Sequence, residues 1–125
     1  IINVVKECND LNIDTIVCCD SVLEAKALAL LNPTVILCEP TELIGTGQTS
    51  DLSYVKETND LIKSINPNIL VEQADGIKNY DDVYKFIKAG SDGTGATSAF
   101  VDTKDREALL REMIEAIIDA TKEGL

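Results

Sequence analysis

Apolar residues in this chain gather into short uninterrupted runs, each followed by a longer amphipathic stretch with helical spacing. Val4 to Asn12 reads as the end of a helix, leading into Asp14-Thr15-Ile16-Val17-Cys18 as a strand. Ser21 then caps a helix through Leu31, with Glu24 three residues on completing a capping box. Asn32-Pro33 stops that helix, because a residue before proline is pushed out of the helical region. Thr34-Val35-Ile36-Leu37-Cys38 is a second strand, uniformly apolar, as expected of a parallel strand covered on both faces. Pro40 to Ser50 is a loop rich in Gly and Thr, long for a strand-to-helix connection. A helix follows from Asp51 to about Ile65, then a third strand over Asn68-Ile69-Leu70-Val71-Glu72 and a loop over Gln73 to Tyr80. The next helix starts near Asp81 and closes at Gly90, and a weak fourth strand spans Gly93 to Thr97. The last helix, Lys104 to Lys122, carries apolar residues at Leu109, Met113, Ala116, Ile117 and Ala120.

Strict alternation of strand and helix predicts an α/β fold, a parallel sheet with helices outside it. Two architectures satisfy it: an open doubly wound sheet, or part of a (β/α)8 TIM barrel. Either places functional loops at the C-terminal ends of the strands. No G-x-G-x-x-G follows the first strand and no G-x-x-x-x-G-K-[ST] occurs anywhere, which weighs against nucleotide folds.

Composition narrows the function classes. Hydrophobic residues at 45% and charged ones at 26% are ordinary for a soluble globular domain. No apolar run approaches the ~18 residues of a membrane span, and the first residues have no basic leader of a signal peptide. The absence of an initiator Met is expected of a chain that begins inside a longer product. A net charge of −11 without a Lys/Arg cluster argues against nucleic acid and anionic membrane surfaces as partners. Any phosphate site must therefore be built locally. The cysteines are Cys8, Cys18, Cys19 and Cys38, with no C-x-x-C pair and no histidine in the chain, so a zinc site has little support. Reduced, buried cysteines in a cytoplasmic protein are the expectation, Cys18 and Cys38 each behaving as a small hydrophobe at the end of an apolar run.

The stretch with most chemical content is Cys38-Glu39-Pro40-Thr41-Glu42-Leu43-Ile44-Gly45-Thr46-Gly47. Glu39 sits where the apolar strand ends, and Pro40 biases it toward extended backbone, so the carboxylate leaves at a fixed angle. A carboxylate beside a closing loop suits a general base that takes a proton once water is excluded. Gly45 and Gly47 allow backbone amides to approach an anion closely.

This E-P-x-E-L-I-G-T-G motif after an apolar strand resembles the sixth strand and flexible loop of the triose-phosphate isomerase family, in its shorter archaeal-type form. Support extends along most of the chain: Thr15 to Cys18 resembles the fifth strand, and Ala29 to Pro33 the run into the sixth. Gly76-Ile77, Asp82-Val83 and Ala89-Gly90 resemble the seventh strand's loop, the helix after it and that helix's end. The resemblance implies the C-terminal half of a (β/α)8 barrel, strands five to eight with their helices, spanning residues 1–125 as one partial domain. It implies that Glu39 is the base shuttling a proton between two carbons of a three-carbon sugar phosphate. Ile44 and Gly45 in the closing loop, Gly76 in the turn after strand seven, and Thr97 and Ser98 at the start of a short helix would bind the phosphate. No cofactor or metal is implied.

The same resemblance marks departures. The family's lysine from the first strand and histidine from the fourth have no counterpart, so the chain alone is expected to be inactive. A complementary half-barrel or second chain is expected as partner, because four βα units leave unpaired edges. Where the family reads Gly-Ala-Gly, this chain has Ala74-Asp75-Gly76, and Ser-Gly becomes Ser98-Ala99. An aspartate beside a phosphate is repulsive unless it points away or meets a cation. Lys78, which the helix pattern leaves in a loop, is expected to be solvated. Three functions stay open on these residues: a triose-phosphate isomerase half, an isomerase half for a related sugar phosphate, or a non-catalytic binding or assembly module.

Overall fold

In the computed structural model, residues 1–43, 46 and 48–122 are described. Four strands, β1 (Ile16–Cys19), β2 (Val35–Cys38), β3 (Leu70–Gln73) and β4 (Gly93–Thr94), form one sheet in the order β1-β2-β3-β4, all parallel. Registered neighbours run across it as Cys18, Leu37, Glu72 and Gly93. Strands that follow one another in sequential order through right-handed crossovers place their helices on the same side of the sheet. That order removes the doubly wound alternative, whose strand order reverses at a switch point. What stands is a parallel α/β layer of the kind found in a TIM barrel.

The helices are α1 (Ile2–Asp10), α2 (Val22–Ala29), α3 (Leu52–Ile65), α4 (Tyr80–Lys88), α5 (Ser98–Asp102) and α6 (Arg106–Lys122). Ser21 Oγ accepts the Glu24 amide at 3.3 Å, as the capping signature predicts. The return bond is shifted by one residue, from the Asp20 amide to Glu24 Oε2 at 3.1 Å. Asp51 and Asn79 cap α3 and α4 through the amides of Ser53 and Asp82. The last helix starts at Arg106 rather than Lys104, since Asp105 caps it from outside by accepting the Ala108 amide at 2.9 Å.

One face of the sheet is packed against helices. Val17, Cys19, Ile36, Cys38 and Val71 are buried there with Ala25, Leu28 and Ile62. A second cluster joins α3, α4 and α6 through Val55, Val83, Phe86, Met113 and Ala116. A polar chain lies within this layer. Gln73 Nε2 donates to Thr58 Oγ1 at 2.8 Å and to Asn59 Oδ1 at 3.0 Å. Asn59 Nδ2 in turn donates to Ser91 Oγ at 3.1 Å and to the Ala89 carbonyl at 3.2 Å. The chain ties β3 to α3 and to the turn that leads into β4.

The opposite face is uncovered, which corrects the expectation of strands covered on both sides. Ile16 is 64% exposed and Leu70 47%, and Cys18, two residues on from Ile16 in β1, is exposed as well. Cys18 is thus not the buried small hydrophobe expected from its run; strand alternation turns it to the open face and puts Cys19 in the core. Cys8 is half-buried. The fourth strand has two residues instead of the five read from sequence, because its Gly-Thr-Gly segment has few side chains to pack. Asp92 extends the pairing: its amide donates to the Val71 carbonyl at 2.9 Å, and its carboxylate accepts the Val71 amide at 2.8 Å. Lys63 holds that carboxylate at 2.7 Å.

Candidate active site

The ends of β2, β3 and β4 surround a cavity of about 520 Å³. Glu39, Gly76, Thr97 and Ser98, drawn from three separate strand ends, all line it. Ile44 and Gly45, and Gly47 with them, lie outside the described residues. Glu39 is half-buried, and its amide donates to the Cys19 carbonyl at 2.9 Å, so it is still held by the sheet when its side chain reaches the cavity. Pro40 is buried behind it and the chain turns at once into a single 3-10 turn, Thr41–Leu43. This is the abrupt exit that Glu-Pro at a strand end predicts.

The turn after β3 is left-handed at two successive residues, Asp75 at φ 88° and Gly76 at φ 62°. Aspartate tolerates this region better than most residues, and glycine is free in it. Gly76 is required for a second reason: a Cβ there would stand 2.3 Å from the Gln48 carbonyl oxygen. The turn therefore seats the returning end of the loop that begins at Glu39.

Asp75, expected as a repulsive neighbour of a phosphate, is 4% exposed, and neither carboxylate oxygen has a hydrogen-bond partner among the described residues. Burial, with the Glu39 and Glu42 carboxylates nearby, pushes its pKa up to about 6. The Ser50 hydroxyl is close enough to ease this shift, although neither group completes a well-formed bond. Glu72 and Asp102 add further carboxylates to the wall, and no lysine or arginine is among its described residues. Lys78 does not line it. The neighbouring Gly76 was the one sequence signal for a left-handed turn at this place. Of the two alanines that replace family glycines, Ala74 lines the cavity and Ala99 does not.

Behind the sheet, Cys19 Sγ lies 3.6 Å from Cys38 Sγ. Its hydrogen bond to Cys38 and its burial hold the Cys19 thiol well above the ordinary range, while the Cys38 thiol is lowered by accepting from it. Among the described residues no group of three His, Cys, Asp or Glu side chains is arranged to hold a metal, and no helix is long and apolar enough to cross a membrane.

Comparison with known proteins agrees with this geometry. The family model described as triosephosphate isomerase matches residues 1–117. The triosephosphate isomerase of Caldivirga maquilingensis is 37% identical over 91% of this chain and 52% of its own length. That of Methanocaldococcus jannaschii is 35% identical over 91% of this chain and 53% of its own. The chain thus spans about half the length of the curated relatives it matches. Among solved structures, a chain of the Amycolatopsis orientalis BexX/CysO complex superposes with a TM-score of 0.71 at 15% identity, over 95% of this chain and 47% of that one. A mutant flavocytochrome b2 with pyruvate bound gives 0.63 at 15% identity, over 96% and 33%. At such low identity these share the fold alone. The sequence matches carry more, and by them the chain belongs to the triosephosphate isomerase family.

Proposed function

We propose that this chain is the C-terminal half of a (β/α)8 barrel, strands five to eight, and that it catalyses aldose–ketose isomerisation of a triose phosphate once a complementary half is present. The observation that carries this reading is the convergence of Glu39, Gly76, Thr97 and Ser98 on one cavity at the C-terminal ends of the strands. Barrel enzymes place their chemistry at that end. Glu39 acts as the base: it takes a proton from the carbon beside the carbonyl and returns it to the neighbouring carbon. The bond from its amide to β1 fixes the backbone from which the carboxylate leaves, which lowers the entropic cost of reaching the reacting carbon. The phosphate is bound by backbone amides: Ile44 and Gly45 in the loop, the turn at Gly76, and Thr97 and Ser98 opening α5, where the first amides of a helix have no partner within it. The lysine and histidine that polarise the carbonyl come from the other half, and no cofactor takes part. A cytoplasmic location fits this chemistry.

The wall of carboxylates favours a second reading, in which the half-barrel binds or assembles without catalysis. Turnover of glyceraldehyde 3-phosphate separates the two, measured with this chain alone and with a half-barrel of strands one to four from a relative. Activity only in the mixture is expected, and Glu39→Gln should remove nearly all of it, by roughly a thousandfold or more. Folded complexes without turnover would favour the binding module or an isomerase for a related sugar phosphate. Full activity of Glu39→Gln would sink the base assignment.

A further inference from the structure

A buried carboxylate with both oxygens unpartnered is rare in folded proteins and calls for a physical reason. Asp75 stands in the wall of the cavity between Ala74 and Gly76, with both carboxylate oxygens closed to solvent just beneath the surface. Among the described residues no cation meets it: the groups that face it are Glu39 at the end of β2 and Glu42 in the 3-10 turn, both acidic, with the neutral Ser50 ahead of α3 and the Tyr54 hydroxyl of α3. Glu72 of β3 and Asp102 of α5 line the same cavity, and Lys78, in the loop beyond Gly76, does not. A dianion entering this space meets uncompensated negative charge at close range, which in a half-buried site costs several times what it would in water. The same carboxyl with a proton attached is neutral, and that repulsion is gone.

We propose that Asp75 is a specificity-determining residue of this pocket, admitting a doubly charged oxyanion only while its carboxyl carries a proton. The inference rests on the reading of the cavity as a phosphate site. Its burial and its acidic neighbours place the change of state near pH 6, so oxyanion affinity falls as pH rises through that value. The left-handed turn keeps the carboxyl in the wall, since its backbone cannot relax to an ordinary strand conformation while Gly76 is seated on the loop at Gln48.

Inorganic sulfate is the suitable probe, because it stays a dianion across this range and any pH dependence belongs to the protein. Calorimetric titration of the chain with sulfate at constant ionic strength should give an affinity roughly tenfold or more weaker near pH 8 than near pH 5. In Asp75→Asn, which keeps the shape and tolerates the positive φ, the profile should be flat at about the affinity of the wild type near pH 5. A flat profile for the wild type, no sulfate binding near pH 5, or an unchanged slope in Asp75→Asn would each overturn the proposal. Sulfate binding needs no turnover, so these outcomes are distinct from failure of the isomerase reading, which Glu39→Gln decides.

Discussion

At the scale of single residues, the strand-end glutamate and the turn glycine were legible because each is tied to a backbone requirement. Glu39 is followed by a proline that dictates its exit angle, and Gly76 occupies a position where any Cβ strikes the Gln48 carbonyl. Gly76→Ala should accordingly lower stability by about 2 kcal/mol or more, measured by urea unfolding, since it adds both a clash and a strained φ. Asp75 was not legible in the same way. Whether a carboxylate is solvated depends on what folds over it, and Ser50 and Glu42 arrive from elsewhere in the chain. Its effect on stability has a definite sign. The unfolded chain ionises Asp75 near its ordinary value of 3.8, while the folded chain holds the proton to about 6. Between these values the native state binds more protons, so stability falls as pH rises and stays lower above pH 6. Asp75→Asn should raise the melting temperature at pH 7 to 8, and that gain should shrink through pH 6 and vanish below about pH 4. A gain that does not change with pH would mean the carboxyl is not the destabilising group.

At the scale of elements, the alternation of apolar runs and amphipathic stretches was enough for every strand and long helix, because short apolar runs bounded by turn and capping residues contrast with longer stretches of 3.6-residue periodicity. Ends were less legible. β4 stops after Thr94 because glycines flank it, and α6 begins at Arg106 because Asp105 accepts the Ala108 amide ahead of it. The buried polar chain from Gln73 through Asn59 to Ser91 was invisible, since Gln and Asn at those positions look like any surface residue until three elements converge. Asn59 is 2% exposed and makes three bonds of that chain. Asn59→Ala strands the Ser91 hydroxyl and Ala89 carbonyl and leaves Gln73 with Thr58 alone. A loss of about 2–3 kcal/mol is expected in denaturant unfolding. Asn59→Asp should cost at least as much at neutral pH, because a carboxylate cannot donate to Ser91 or Ala89. A loss below about 0.5 kcal/mol for both would mean water replaces the network readily.

At the scale of the whole molecule, the open sheet face is where the proposed assembly with a second half can be tested. Ile16, Val35 and Leu70 are registered neighbours on that face, with Cys18, Leu37 and Glu72 forming the next row toward the site. On a lone layer these residues cost little to change, since Ile16 and Leu70 already meet water. Inside a closed barrel the same rows are packed layers without solvent. Leu70→Glu discriminates between the two situations. In the chain by itself the substitution should shift unfolding free energy by no more than about 0.5 kcal/mol. In the assembly with a half of strands one to four it would place an unpaired carboxylate in the interior, at a cost of several kcal/mol. The dissociation constant of the two halves should rise by roughly a hundredfold or more, read by titration of one labelled half with the other. Leu70→Met, similar in volume, should bind nearly as well as the wild type. Were Leu70→Glu to assemble as tightly as Leu70, the face would not be the interior of a barrel, and the shared active site at its rim would lose its physical basis.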